Sequence, residues 1–517
     1  MAISIFQIFF QIYEAFAFFL RLSINIMLTF SHNAMRNCFL LVCCYWAYMV
    51  VVPCKAQSVY APLDPDYYYG LQRLEIQQGY FSSFLHSHAL PWERKKIVSF
   101  LESLPPTHDS IEAFTRKMYL LDNREWLSKP LSPSLKPWKK QFYLYPNDAY
   151  AVQNEAVDLH INPVINWQIG SITGGAQRYV SLNGRGIEIR GTLYPSIGFY
   201  SYMTENIARI PDYVKDYADA FNRNALRKQA MPGMPSEGHT KWFKKDPLSL
   251  DFFSARGYLT FKASKYVSVQ FGHDKNIIGQ GFRSMILSDN AAPYLFLKIN
   301  THINRVQYQQ ILAQLVNPDT LAIDQVFPKK YLALHHLSLH LTPRWQLGFT
   351  ESIVFKRDSL EKGFDLNYLN PVILYRFVES FQGSGDNALL ALDFSHLINK
   401  RAMLYGQLIL DEFIIKELLS NSTFWANKYG LQLGFKYLNL ANVAHLDWQT
   451  EGNLARPYLY SHQASGQHYS HYNQALAHPL GANFVEWVHI LRYQPSPRLQ
   501  LATHYITALY GADKQLS

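Results

Sequence analysis

From about residue 158 to the C-terminus, apolar and polar residues alternate with a period of two. Leu337, Leu339 and Leu341 alternate with His336, Ser338 and His340, and Val267, Val269 and Phe271 with Ser268 and Gln270. Leu404, Gly406, Leu408 and Leu410 alternate with Tyr405 and Gln407. Leu431, Leu433, Phe435 and Tyr437 alternate with Gln432, Gly434 and Lys436, and Ala444, Leu446 and Trp448 with His445, Asp447 and Gln449. A period of two is the signature of a pleated strand with two unlike faces. A soluble sandwich shares it. Spans of about 9–11 residues with aromatics near their ends fit a tilted membrane strand better. Short turns such as Thr342-Pro343-Arg344 alternate with long segments such as Glu205 to Ser254, the asymmetry of an outer-membrane barrel. Leu339, Leu408, Leu433 and Leu446 are therefore expected to face lipid, and His340, Gln407, Gln432 and Asp447 the lumen. Leu446 is expected near the midplane. No repeat of fixed period suggests a propeller.

The preceding stretch has a helical period. Ile97, Phe100, Leu101 and Leu104 fall on one face after Pro91, and Pro105-Pro106 stops the run. Asp109 and Glu112 form a capping box ahead of Ile111, Phe114, Met118 and Leu121. A shorter helix is expected from Asp66 to Glu75. Residues 57–150 thus read as a small helical region and 151–517 as the barrel.

Composition sharpens this. Aromatics reach 15%, with 35 tyrosines, and charged residues only 17%. Mean hydropathy is −0.13, and no run of about 20 apolar residues follows residue 57. Helical membrane proteins and ordinary soluble enzymes are both poor fits. All four cysteines (Cys38, Cys43, Cys44, Cys54) precede residue 57. Met35-Arg36-Asn37, the apolar run Cys38–Val52 and Pro53-Cys54-Lys55-Ala56 form a secretory signal peptide at 35–56. Translation is expected to begin at Met35, which makes residues 1–34 a non-native extension. The net charge is +9. Residues 1–56 carry Arg21, Arg36 and Lys55 against Glu14, so the rest stays at +7. Without a dense Lys/Arg cluster, this balance suits acidic glycans or lipid head groups rather than nucleic acid.

Five stretches together resemble the Wzi-type capsule assembly family of Gram-negative outer membranes, in the branch that includes gliding-motility proteins. They are Asp158-Leu-His-Ile-Asn-Pro163, Phe271-Gly-His-Asp-Lys-Asn-Ile-Ile-Gly-Gln-Gly-Phe-Arg-Ser284, Ser288-Asp-Asn-Ala-Ala292, Leu366-Asn-Tyr-Leu-Asn-Pro371 and His471-Tyr-Asn-Gln-Ala-Leu-Ala-His-Pro-Leu-Gly-Ala-Asn483. The resemblance implies an 18-stranded barrel with a helical bundle at its periplasmic mouth. It also implies a non-catalytic, lectin-like role in organising capsular or other surface polysaccharide. The length accommodates about 14–18 strands, and about 16–18 are expected. Family barrels end in a strand with a terminal aromatic, whereas this chain ends Gly511-Ala-Asp-Lys-Gln-Leu-Ser517. Closing strands are therefore expected to be missing at the C-terminus. A porin-like channel and a gliding-motality or adhesin component remain as alternatives.

The candidate polysaccharide site gathers amide, carboxylate, imidazole and guanidinium groups from Gly272–Asn290 and the Tyr/His-rich segment Tyr458–Asn483. Its residues are His273, Asp274, Asn276, Arg283, Asp289, Asn290, Tyr469, Tyr472, His478 and Asn483. Arg283 would fork a uronic carboxylate, Asn276 and Asn290 would bond hydroxyls, and Tyr469 or Tyr472 would stack on a sugar ring. The competing reading is a lumen network whose members satisfy one another. The two segments are expected to lie side by side. Gly279-Gln-Gly-Phe-Arg-Ser284 lacks the third glycine of a dinucleotide loop. His462, His468, His471 and His478 match no metal-ligand spacing, so no metal and no cofactor is expected. Asp411, Glu412, Asp447, Glu451 and Glu486 could form a glycosidase pair. Carboxylates facing a polar lumen need no catalytic role, however, so no enzyme is expected.

Overall fold

The computed structural model describes residues 57–130, 142–174, 178–222, 234–238, 240–243, 248–317, 327–356, 363–371, 385–411, 428–462 and 464–511, together with 246, 374, 375 and 378. The expected signal peptide, the extension before it and the last six residues lie outside these. No described helix is long and apolar enough to cross a membrane, which says nothing of strands.

The chain begins with α1 (Pro65–Gln78), α2 (Arg94–Ser103) and α3 (Ser110–Asp122). Asp64 caps α1 by accepting from the amides of Asp66 and Tyr67, Pro65 opens it, and Gly79 closes it at φ 75°. Asp109 caps α3 through Ile111 and Glu112. The α1–α3 core contains Leu71, Leu74, Trp92, Ile97, Phe100 and Tyr119. The expected apolar stripe of α3 is not its buried face. Met118 is exposed, and Tyr119 packs against α1 instead. Its hydroxyl occupies the space a Cβ at Gly70 would need.

The sheet contains β1 (Asp148–Gln153), β2 (Val157–Ser171), β3 (Tyr179–Leu193), β4 (Ile197–Arg209), β5 (Ser249–Lys262) and β6 (Val267–Asp274). It continues with β7 (Tyr294–Ile303), β8 (Val306–Val316), β9 (Lys329–Thr342), β10 (Trp345–Phe355) and β11 (Asn387–Asn399). The last strands are β12 (Ala402–Asp411), β13 (Tyr429–Tyr437), β14 (Leu446–Ala455), β15 (Phe484–Ser496) and β16 (Leu499–Tyr510). Each pairs antiparallel with the next in sequence, and the sheet curls into a barrel. Among the described residues, no ladder joins β16 to β1 or β2.

Turns between β9 and β10, β11 and β12, and β15 and β16 are short. The long connections all fall at the other end. The helices sit at the short-turn end, where the Phe81 amide bonds the Pro343 carbonyl at 2.7 Å.

The wall has inverted polarity. His336, Ser338, His340, Gln407, Gln432 and Asp447 are buried, whereas Leu433 is 58% exposed and Phe271 51% exposed. Apolar side chains face outward because lipid, not a protein core, is their solvent. The expected inward and outward sets agree with this, with one correction. Strand β14 starts at Leu446, not Ala444, because Asn439, Ala441, Asn442 and His445 take positive φ. Leu446 therefore lies at the short-turn rim rather than the midplane. Toward the long-loop end the inward face itself turns apolar. Leu315, Leu334, Val354, Ile409 and Phe484 pack there with Met285, Tyr460 and Leu476 from the loops.

Candidate functional site

The connection between β6 and β7 folds into the barrel and is held there by wall side chains. Glu451 accepts from the amides of Phe282 (2.8 Å) and Arg283 (3.1 Å) and from the Tyr405 hydroxyl (2.8 Å). Gln407 donates to the Ile278 carbonyl at 3.0 Å and accepts from the Met285 amide at 2.7 Å. Lys436 donates to the Gln280 carbonyl at 2.7 Å and to Gln72 of α1 at 2.6 Å. A Cβ at Gly281 would meet the Glu451 carboxylate and the Arg283 carbonyl, so the backbone approaches the wall only because this residue is glycine. The glycine pair thus serves the loop's own anchoring.

The second expected segment lies alongside. Asn290 donates to the Ala475 carbonyl at 3.0 Å, the Ser288 amide bonds the Leu476 carbonyl at 2.8 Å, and the Tyr460 hydroxyl bonds the Met285 carbonyl at 2.6 Å. From the long Glu205–Ser254 segment, residues 234–238 reach this assembly. The Gln474 side chain donates to the Glu237 carbonyl at 2.8 Å. The other described parts of that segment include α4 (Asp212–Asn222) and the ends of β4 and β5. Among the described residues, the two loops supply the contacts with the inward wall given above.

Between α1, this loop and the wall lies a cavity of about 310 Å³. Arg283, Lys436 and Arg492 line it against one carboxylate residue, Asp289, with Asn290, Gln449, Gln72 and Tyr69 beside them. Arg492 donates to Gln449 at 3.1 Å and lies 4.3 Å from the centre of the Tyr69 ring. The Nε groups of Arg283 and Arg492 are buried and have no hydrogen-bond partner. Cations, amides and an aromatic face are the groups that hold a polyhydroxylated anion.

Of the ten expected site residues, Arg283, Asp289 and Asn290 line this cavity. The others are placed elsewhere. His273 falls on the outward parity of β6 with Phe271 and is exposed, so it cannot join a lumen site. Asp274 is buried 4.0 Å from the Arg256 guanidinium, and Asn276 accepts from Lys298 at 2.9 Å. Beside them, burial and the nearby Arg256 push the Lys275 ammonium down to about 8, and its Nζ donates to the Asp289 carbonyl at 2.9 Å. Tyr469 is sealed against Tyr460, with ring centres 5.9 Å apart, and offers no free face. Tyr472 is half-buried beside His471. His478 bonds Glu486 at 2.8 Å, and Glu486 also holds Arg283 at 3.3 Å. Asn483 lies at the ends of β15 and β16, where its carbonyl accepts from the Gly511 amide. Sequence reasoning missed Tyr69, Gln72, Lys436, Gln449 and Arg492 as cavity residues. The parity of β13 and β14 already marked Lys436 and Gln449 as inward.

The suspected catalytic carboxylates are engaged. Asp447 accepts from Arg73 at 2.8 Å, Asp411 accepts from the Tyr460 amide at 3.0 Å, and Glu451 and Glu486 hold loop groups. Glu412 lies outside the described residues.

No protein-family model matches the chain, and no curated protein sequence matches it. Among solved structures it is similar to Wzi, an outer-membrane protein involved in group 1 capsule assembly in Escherichia coli, described as a carbohydrate-binding β-barrel. The two share 13% identity over 88% of this chain and 86% of that one, with a TM-score of 0.53. OccK2 (OpdF) of Pseudomonas aeruginosa, solved with glucuronate, shares 11% identity over 68% of this chain and 92% of that one, at a TM-score of 0.32. The first likeness is one of fold.

Proposed function

We propose that this chain is a non-catalytic outer-membrane barrel that binds acidic surface polysaccharide, such as capsule, and organises it at the cell surface. The observation that carries the reading is the cavity. Two guanidiniums face it, each with a buried Nε–H lacking a partner, and Tyr69 supplies an aromatic face beside the Lys436 amine. A uronic carboxylate with neighbouring hydroxyls would satisfy these donors. The barrel fold, which resembles a solved carbohydrate-binding barrel, supports the same reading. The filled interior favours a binder over a conducting pore. The engagement of the carboxylates in anchoring favours binding over hydrolysis.

The test is calorimetric titration of the detergent-solubilised protein with a uronate-containing oligosaccharide and a neutral one of equal length. The acidic sugar should bind and the neutral one should not. Arg492→Gln and Arg283→Gln should each weaken binding about 10-fold or more, the weight of one charged hydrogen bond. Equal binding of both sugars by the parent protein would reject the site.

A further inference from the structure

Away from that cavity, the inner wall carries a second constellation, in which residues from three parts of the fold converge. His88 precedes the short strand Ala89–Leu90, which pairs with Ile277–Ile278 of the inward loop. Its backbone carbonyl also accepts from the Gly279 amide at 2.7 Å. His336 points inward from β9 and Asp393 from β11. One ligand-capable atom from each of the three lies within 4.8 Å of the other two. All are buried, at 1%, 0% and 3% exposure in that order.

The strand between them leaves room. Gly348 of β10 is in register with Asp393, and a Cβ there would strike the carboxylate. The imidazoles are oriented by hydroxyls. His88 Nε2 lies 2.7 Å from Ser395 Oγ, and His336 Nδ1 lies 2.9 Å from Thr350 Oγ1. The His88 ring, held at Nε2 with Nδ1 toward a carboxylate, has the usual surroundings of a metal-binding histidine.

Several polar atoms in this cluster make no well-formed hydrogen bond. They are both Asp393 oxygens, His88 Nδ1 and His336 Nε2. His88 Nδ1 and Asp393 Oδ1 touch as an ion pair without hydrogen-bond geometry, and His336 Nδ1 stands 3.8 Å from Asp393 Oδ2. His88 thus compensates Oδ1, but Oδ2 of the buried carboxylate is left without a hydrogen bond, which is costly.

We infer that His88, His336 and Asp393 form a binding site for a divalent transition ion of the zinc class, which clasps the N-terminal region to the barrel wall. Two imidazole nitrogens and one carboxylate oxygen suit Zn²⁺ and its first-row neighbours, whereas Mg²⁺ and Ca²⁺ prefer all-oxygen shells. A tetrahedral ion keeps ligand atoms ~3.3–3.5 Å apart, given bonds of about 2.0–2.1 Å. Modest side-chain rotation brings these three onto one centre. Burial on all sides makes the role structural. The ion ties a segment far away in sequence to β9 and β11.

The test uses untagged protein refolded from urea into detergent with and without one equivalent of Co²⁺, a visible stand-in for Zn²⁺. One equivalent should be retained after desalting, with the absorption bands of a histidine-ligated ion, and Zn²⁺ should displace it. Asp393→Asn and His336→Gln, refolded in parallel and checked by near-UV dichroism, should bind at least ~100-fold more weakly. The inference fails if the parent protein retains no stoichiometric Co²⁺. It also fails if Asp393→Asn retains as much as the parent, since the ion would then sit elsewhere.

Discussion

The two halves of the barrel interior are built by the same strands at the same parity, yet they are chemically opposite. On the short-turn side, Ser338, Gln407, Gln432 and Asp447 point inward and bond the N-terminal region or the inward loop, and His336 bonds Thr350 of the wall. On the long-loop side, the next inward residues of those strands or their neighbours are Leu334, Val354, Ile409 and Phe484, which meet Met285 and Leu476. The polar half is specified pair by pair, through donors and acceptors that must match. The apolar half is specified by volume. The cationic cavity lies at the polar half, where charge can be held by partners. The apolar half closes the barrel beneath the long loops. Alternation along a strand thus decides only which face a residue occupies, and the filling decides its chemistry.

The severest break of this contrast is a charge in the apolar half. Leu334→Asp should lower stability by about 3–5 kcal/mol, the weight of an uncompensated buried charge, measured by urea unfolding in micelles. A loss below 1 kcal/mol would mean that water reaches that half. The outer face supplies the control. Leu433→Arg, mid-strand and facing lipid, should cost about 2–4 kcal/mol, and Leu446→Arg, at the rim, about 0–1. Equal costs in a bilayer unfolding assay would contradict the depth assigned to Leu446.

A pH series addresses the helices that fill the polar half. Burial pushes the Glu75 carboxyl up to about 7 from the ordinary 4.5, and the hydroxyl of Ser87 and amide of Ser82 bond it. Below pH 4.5 the group is neutral in both states. Between 4.5 and 7 only the unfolded chain ionises, so stability falls, by on the order of 3 kcal/mol, and is level above 7. Glu75→Gln should flatten that slope, and parallel curves for the two proteins would exclude it. Glu451→Gln puts an amide N–H against donors and should cost about 1.5–3 kcal/mol. It should also free residues 282–283, visible as faster amide exchange there. Unchanged exchange would detach the loop from this anchor.

The barrel was legible because lipid-facing strands print a period of two, and Leu431 to Tyr437 show it plainly. The Asp109 cap of α3 was equally local. The apolar half was not legible. Leu332-Ala333-Leu334 and Ile353-Val354-Phe355 are apolar on both parities, so nothing in the alternation shows that loops cover both faces there, Met285 and Leu476 inside and Tyr368 and Tyr375 outside. His273 was grouped with Asp274 by proximity in sequence, although adjacent strand residues point to opposite faces. The adjacency of the two loops was anticipated. The roles of Arg492 and Lys436 were not, because their cavity is completed by Tyr69 and Gln72, more than 300 positions away in the chain.

The inverted wall also bears on how such a chain can change over generations. An outward leucine such as Leu433 touches only fluid hydrocarbon, so valine, isoleucine or phenylalanine can replace it without a compensating change elsewhere. An inward residue such as Glu451 answers to four partners and can move only together with them. Descendants of one ancestral barrel are thus free to lose half their strand residues to neutral drift while the pattern of faces persists. Kinship in this architecture should be sought among the inward-facing positions read as a set, not along the continuous string.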